Sequence, residues 1–301
     1  MMLSDISSLS SDEDDQEPLR RLPRRIRFIC NRENPFDLHD NDFKKRFRLN
    51  KTTVMNLLHL IGHTLEPRTH RNKSLDARCQ IVITLRFYAT GGFLELIGDC
   101  MHIHKSNICR VIRRVTCQIA QLSRHHIKMP HNNQELMAIK QGFFNIAGFP
   151  WVIGALDCTH VNMPMLNCIE TEKDISACDS GYPCKPHLLS PVLNPINASQ
   201  EAYNTAHIAT RNTVERFFGV LKRRFPCLRN GLRLKLDTTV KVIVACGVLH
   251  NICKEQDDDI ENYFEEIENE EEDNFTFNEP NDNNNVNYSL RNALIATVFA
   301  R

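Results

Sequence analysis

No run of 18 or more apolar residues occurs in the chain, so no stretch announces a membrane-spanning helix by unbroken hydrophobicity. The first 18 residues, MMLSDISSLSSDEDDQEP, lack a basic start followed by an apolar run, which argues against a secretory signal. No Cys-x-x-Cys pair is present. The twelve cysteines stand singly, most inside apolar or helical patterns such as Cys109, Cys117, Cys246 and Cys253. That distribution predicts reduced thiols in a cytosolic or nuclear chain. Cys168, Cys178 and Cys184, with His160 and His187, are a conceivable zinc set, but their spacings fit no standard finger.

Net charge is absent too, with 37 basic and 37 acidic residues, yet the signs are segregated. Residues 1–17 carry six acids and no Lys or Arg; residues 255–301 carry fourteen acids and only Arg291 and Arg301. The body between them, 18–254, therefore holds 35 basic and 17 acidic residues, a balance of +18. Such a body attracts polyanions, DNA or RNA first. The acidic ends either compete for that surface or act as solubilising tails. The run LRRLPRRIRF at 19–28 fits a nuclear-import signal or a phosphate-contacting arm.

Helical spacing dominates 42–150. Val54, Leu57, Leu58 and Ile61 define one stripe within DFKKRFRLNKTTVMNLLHLIGHTL, with Asn50 or Thr52 as N-cap. DARCQIVITLRFYATGG ends on a Gly pair. The short FLELIGDCM, the connection HIH and the amphipathic KSNICRVIRRVTCQIAQL then outline a helix-turn-helix, with Ser106 as the second helix's N-cap. Its apolar positions are Ile108, Val111, Ile112, Val115, Ile119 and Leu122. Lys105, Asn107, Arg110, Arg113 and Arg114 turn outward as the candidate DNA-binding residues. An ordinary bundle helix with a solvated basic face has the same pattern.

After a further helix at 131–150, WVIGALDC changes to a continuous apolar run, the mark of a strand buried on both faces. Residues 179–200 carry four prolines and read as irregular. A helix through YNTAHIATRNTVERFFGVLKRRF stops at Pro226, with Val214, Phe217, Phe218, Leu221 and Phe225 as its apolar face. A last one, 237–255, takes Asp237 as cap and Val240, Ile243, Val244 and Ile252 as anchors. Beyond it the chain reads as disordered, apart from a short terminal helix within 288–301.

Three acids stand in unusual places. Asp157 closes the apolar run, Asp179 opens a Gly-Tyr-Pro turn, and Glu215 is expected in the first turn of a helix rich in Arg and Lys. Carboxylates converging from a strand end, a loop and a helix bind two divalent cations about 3.5–4 Å apart, the arrangement for phosphodiester cleavage. Each acid also has a plain structural role open to it. Asp157 could cap the segment after the strand, Asp179 suits a turn, and Asn212 with Glu215 imitates a capping box.

GALDCTHV, DSGYPCKPHLLSP, NTAHIATRNTVERFFGVLKRRFPCL and VLHNIC together resemble the PIF/Harbinger transposases, and most of all their domesticated, Harbinger transposase-derived nucleases. The resemblance covers roughly 42–125 and 150–254. It implies an α/β, RNase H-like core with a DDE triad at Asp157, Asp179 and Glu215, preceded by the helix-turn-helix region. It also implies Mg or Mn as cofactor, DNA as substrate, a separate Myb/SANT-like partner protein, and a nuclear location, with the cytoplasm as the other compartment consistent with reduced thiols. The expected domains are a disordered 1–41, a helical 42–130, a nuclease 131–255 and a disordered 256–301.

One departure stands out. Only 21 residues separate Asp157 from Asp179. An RNase H-like core places two more strands and a helix there, which need on the order of 30 residues before the next strand begins. The sequence thus predicts triad residues in an incomplete sheet and a poorly active or inactive nuclease. The competing expectation is a non-enzymatic DNA-binding or partner-binding derivative.

Overall fold

Helix boundaries follow from local chemistry. In a computed structural model, residues 34–67, 69, 74–155, 189–258 and 289–300 are described. After a 3-10 turn at Pro35–Asp37, α1 (Asp40–Phe47) ends on Arg48, which takes a left-handed conformation at φ 65°. That break divides the expected 42–65 helix, and α2 (Lys51–Leu65) restarts after Asn50. Helix α3 (Ala77–Thr90) begins where the Asp76 carboxylate accepts the Cys79 N–H at 2.9 Å. It ends at Gly91, φ 61°, where a Cβ would lie 2.9 Å from the Cys227 Cα. Two constraints therefore require glycine there: the left-handed backbone and the close approach.

Helices α4 (Leu94–Met101) and α5 (Lys105–Gln121) flank a three-residue connection, His102–His104. The N-cap of α5 is His104, whose Nδ1 accepts the N–H of Ser106, the residue expected to cap. Short α6 (Ser123–His126) leads to α7 (Asn133–Ala147), α8 (Ala198–Arg224), α9 (Cys227–Asn230), α10 (Leu236–Glu255) and α11 (Ser289–Thr297). All regular structure among the described residues is helical.

The strand expected from Trp151 is not formed over its described part. Trp151 turns at φ 62° and 152–155 are irregular, with no described strand alongside to accept their N–H and C=O groups. The α/β sheet therefore has no counterpart among the described residues.

Helix α5 forms the centre of the main core. Ile108, Val111, Ile112, Val115 and Ile119 are buried, as their spacing requires, against α2, α3, α4 and α10. The buried Tyr88 hydroxyl bonds the Thr116 hydroxyl at 2.7 Å between α3 and α5. The core does not stop at residue 130: Leu221, Phe225, Cys227, Leu228 and the inner face of α10 complete it. By length and composition α10 could cross a bilayer, but nine of its residues are buried within this core. Asp237 lies inside the first turn of α10, whose N-cap is Lys235. Of its four expected anchors, Ile252 is buried and Val244 half-buried, whereas Val240 and Ile243 are exposed.

A second, smaller cluster joins Phe149, Tyr203, Ala206 and Ile295, with Val152, Leu189, Val192 and Phe299 packed against it. Helix α8 spans both cores, its N-terminal half in the small one and its C-terminal end in the large one.

Candidate functional site

Glu215 lies in the interior of the 27-residue α8, not in a first turn. The N-cap of that helix is Asn197, whose side chain accepts the Gln200 N–H at 2.9 Å, so the Asn212–Glu215 capping box is excluded. Between Arg211 and Val220 no residue of α8 is buried; Val214, Phe217 and Phe218, expected on an apolar face, are only half-covered. The stretch carrying Glu215 is thus exposed between two packed ends.

The Glu215 carboxylate is held from its own helix. Arg211 Nη2 donates to Oε1 at 2.5 Å across one turn. In the amide orientation that satisfies its neighbours, Asn212 donates to Oε2 and to the Ile208 carbonyl, each at 3.0 Å. The spacing of four between Arg211 and Glu215 is the sequence signal for the first contact.

Asp157 and Asp179 lie outside the described residues, as do Cys168, Cys178, Cys184, His160 and His187 of the conceivable zinc set. The described chain on both sides of them is tied to the same half of α8. Val152 packs on the small cluster before the interval. After it, the Leu189 carbonyl accepts His207 Nε2–H at 2.9 Å, and the Ser190 carbonyl accepts the Tyr203 hydroxyl at 3.1 Å. Asn204 bonds both the N–H and the carbonyl of Val192 at 2.8 Å. His207 and Glu215 are eight residues apart on one helix, about 12 Å along its axis. Burial holds the His207 imidazole below its usual pKa, with Arg211 and Arg291 acting in the same direction against the Leu189 hydrogen bond. No group of three or more His, Cys, Asp or Glu among the described residues could hold a metal ion.

On α5, Lys105, Asn107, Arg110, Arg113 and Arg114 are all exposed, opposite the buried stripe. Gly98 makes the α4–α5 connection possible, since a Cβ there would lie 2.4 Å from the Ile103 carbonyl oxygen. A second tie was not foreseen in the sequence: Lys105 Nζ pairs with Glu95 Oε1 at 2.5 Å across the turn, which lowers the Glu95 pKa.

The DDE superfamily endonuclease family matches residues 156–251, an interval that contains Asp157, Asp179 and Glu215. The Xenopus laevis protein named "Putative nuclease HARBI1" is 27% identical, over 81% of this chain and 86% of its own length. The human protein of that name is 25% identical, over 74% of this chain and 80% of its own. An Arabidopsis thaliana protein, Antagonist of Like Heterochromatin Protein 1, is 27% identical over 42% of this chain and 33% of its own length. No solved structure matches the chain. The frog alignment runs over 301 positions yet takes in 81% of the 301 residues here, so about a fifth of its positions have no counterpart in this chain. In its DDE endonuclease segment and in relatives matched over most of their length, this chain is similar to the Harbinger transposase-derived nucleases.

Proposed function

We propose that Asp157, Asp179 and Glu215 form one divalent-cation site for hydrolysis of DNA phosphodiester bonds, on an RNase H-like core that this chain carries in shortened form. The observation that supports it most is the endonuclease match over 156–251, which takes in all three acids. Three carboxylates are a hard, anionic oxygen donor set, the chemistry suited to Mg or Mn. When bound, a cation pair would supply an activated water and charge stabilisation at the leaving oxygen. The chain's own part is positional. Glu215 is exposed and presented by a helix fixed at both ends, and Arg211 and Asn212 orient its two oxygens.

The residues missing relative to the frog and human proteins belong, on this proposal, between Asp157 and Asp179, where only 21 remain. The two acids then lack the sheet that would set their separation. A misplacement of about 1 Å costs on the order of a hundredfold in rate. The chain is accordingly a weak nuclease or an inactive one.

Helices α4 and α5 act as a helix-turn-helix in this proposal, with Lys105, Asn107 and Arg110 nearest the bases and Arg113 and Arg114 on phosphates. Their exposure on a basic body supports it. A nuclear location and a separate Myb/SANT-like partner complete the proposal. The heterochromatin reference in the Arabidopsis relative's name is consistent with a chromatin setting. The short interval also favours a second function, DNA or partner binding without cleavage. Plasmid nicking in Mg or Mn, by this chain and by a form with the interval restored from a relative, tests both. Cleavage only by the restored form supports the shortened-nuclease proposal, whereas cleavage by neither favours binding alone.

A further inference from the structure

Between Glu215 and Asp237 the chain carries seven Lys or Arg and no Asp or Glu. Only Arg224 among them is buried, its Nη2 donating to the Asp258 carbonyl at 2.7 Å. The others, at the end of α8, on α9 and before α10, are exposed or half-exposed.

Contacts at both ends fix where these cations stand. Helix α9 packs on the end of α3, where Gly91 lets the Cys227 backbone approach, and Asn230 Nδ2 donates to the Thr90 carbonyl at 3.1 Å. Just beyond α9, the Arg233 guanidinium lies over the Phe93 ring, 4.2 Å from its centroid. Phe93 is the N-cap residue of α4 and is itself 55% exposed. A guanidinium stacked in this way keeps its edge N–H groups for an acceptor beyond the ring. At the other end, Lys222 follows Glu215 by seven residues of α8. That is nearly two turns, which puts both on one face about 10 Å apart along the axis. Gly219 shares that face, and no described atom lies within 4 Å of where its Cβ would be. Burial, and then the nearby charge of Arg229, lower the Lys222 pKa. Two cations so placed are stabilised by an anion set between them.

We propose that Lys222, Arg229 and Arg233 form a phosphate-binding track for duplex DNA, running from the helix-turn-helix at Phe93 to Glu215. This rests on the reading of α4, α5 and Glu215 as DNA-facing, and adds the path between them. One strand advances about 3.4 Å per nucleotide, so Lys222 holds the backbone about three nucleotides from the phosphodiester at Glu215. The track touches phosphates alone, and therefore positions the strand without reading sequence.

Fluorescence anisotropy of the full chain with duplexes of several unrelated sequences, over a range of salt, tests this, with circular dichroism melts to confirm folding. Lys222→Gln, Arg229→Gln and Arg233→Gln should each weaken binding several-fold, by the same factor on every sequence. Each should lower the slope of log affinity against log salt by about 0.9, and Lys222→Arg should restore both. Arg78→Gln removes an exposed charge at the far end of α3 and should leave the slope unchanged. Slopes unchanged by all three track substitutions would overturn the proposal. If Arg113→Ala and Arg114→Ala flatten the slope in the same assay, the helix-turn-helix reading survives that failure. An Arg78→Gln effect as large as the others would also overturn the track, by showing only a general positive field, and so would tighter binding of duplex RNA of the same sequence.

Discussion

Arg211 Nη2 and Glu215 Oε1 stand 2.5 Å apart on successive turns of α8, in a stretch where no side chain is buried. The acid is thereby held in one orientation without being hidden. Glu215→Gln keeps the size and the helix but removes the negative charge. In a form with the interval restored, it should abolish metal-dependent nicking while leaving the affinity for duplex DNA within about twofold, since binding rests on Lys and Arg. A loss of DNA affinity equal to the loss of cleavage would show that Glu215 is structural.

The exposed arginines of α5 make a separate prediction. Arg110→Ala, Arg113→Ala and Arg114→Ala should each weaken DNA binding. Arg113→Ala and Arg114→Ala should also flatten the dependence of log affinity on log salt, by about 0.9 for every phosphate left without its arginine. Fluorescence anisotropy at several salt concentrations reads this directly, and a slope unchanged by Arg113→Ala and Arg114→Ala would rule out the phosphate contacts.

Stability depends on a residue that the sequence assigned to an acidic tail. The fully buried Asp258 carboxylate accepts the Asn50 N–H at 2.7 Å and the Thr53 hydroxyl at 2.8 Å, and pairs with Lys44 Nζ at 3.0 Å. Its carbonyl accepts Arg224 Nη2–H at 2.7 Å. Asp258→Ala removes the buried carboxylate that pairs with Lys44 and accepts from the first turn of α2, and should cost about 3–5 kcal/mol in urea unfolding. Gln256→Ala, on an exposed neighbour, should be close to neutral.

The pH dependence follows from His207. Its pKa is lowered in the folded chain, so the unfolded chain takes up the proton first as pH falls. Stability should drop as pH passes below the ordinary value of about 6.5 and level off below the lowered one. Thermal melts across pH 5–8 should show that loss, and His207→Gln should reduce its slope. An identical slope in the variant would place the titration elsewhere.

Which features were legible depended on whether one segment sufficed to specify them. The α5 stripe from Ile108 to Ile119 needed only helical spacing, and all five of its main anchors are buried. The stops at Gly91 and Pro226 needed only local backbone chemistry. Val240 and Ile243 were misassigned because periodicity finds an apolar face without saying whether a neighbour covers it. Asp258 was missed because its partners are some 200 residues away in the chain. Glu215 was picked out by motif, but its mid-helix position depended on α8 starting at Ala198. Arg211 was visible at the right spacing, and its contact required the helix to be continuous through both residues.

The most direct measurement of the central claim is a Mn2+ titration followed by electron paramagnetic resonance, on this chain and on the interval-restored form. Three separated acids acting as one cation site predict that the restored form binds Mn2+ and that Asp157→Asn, Asp179→Asn and Glu215→Gln each abolish that binding. This chain should bind more weakly. Mn2+ uptake by the restored form that survives all three substitutions would contradict it.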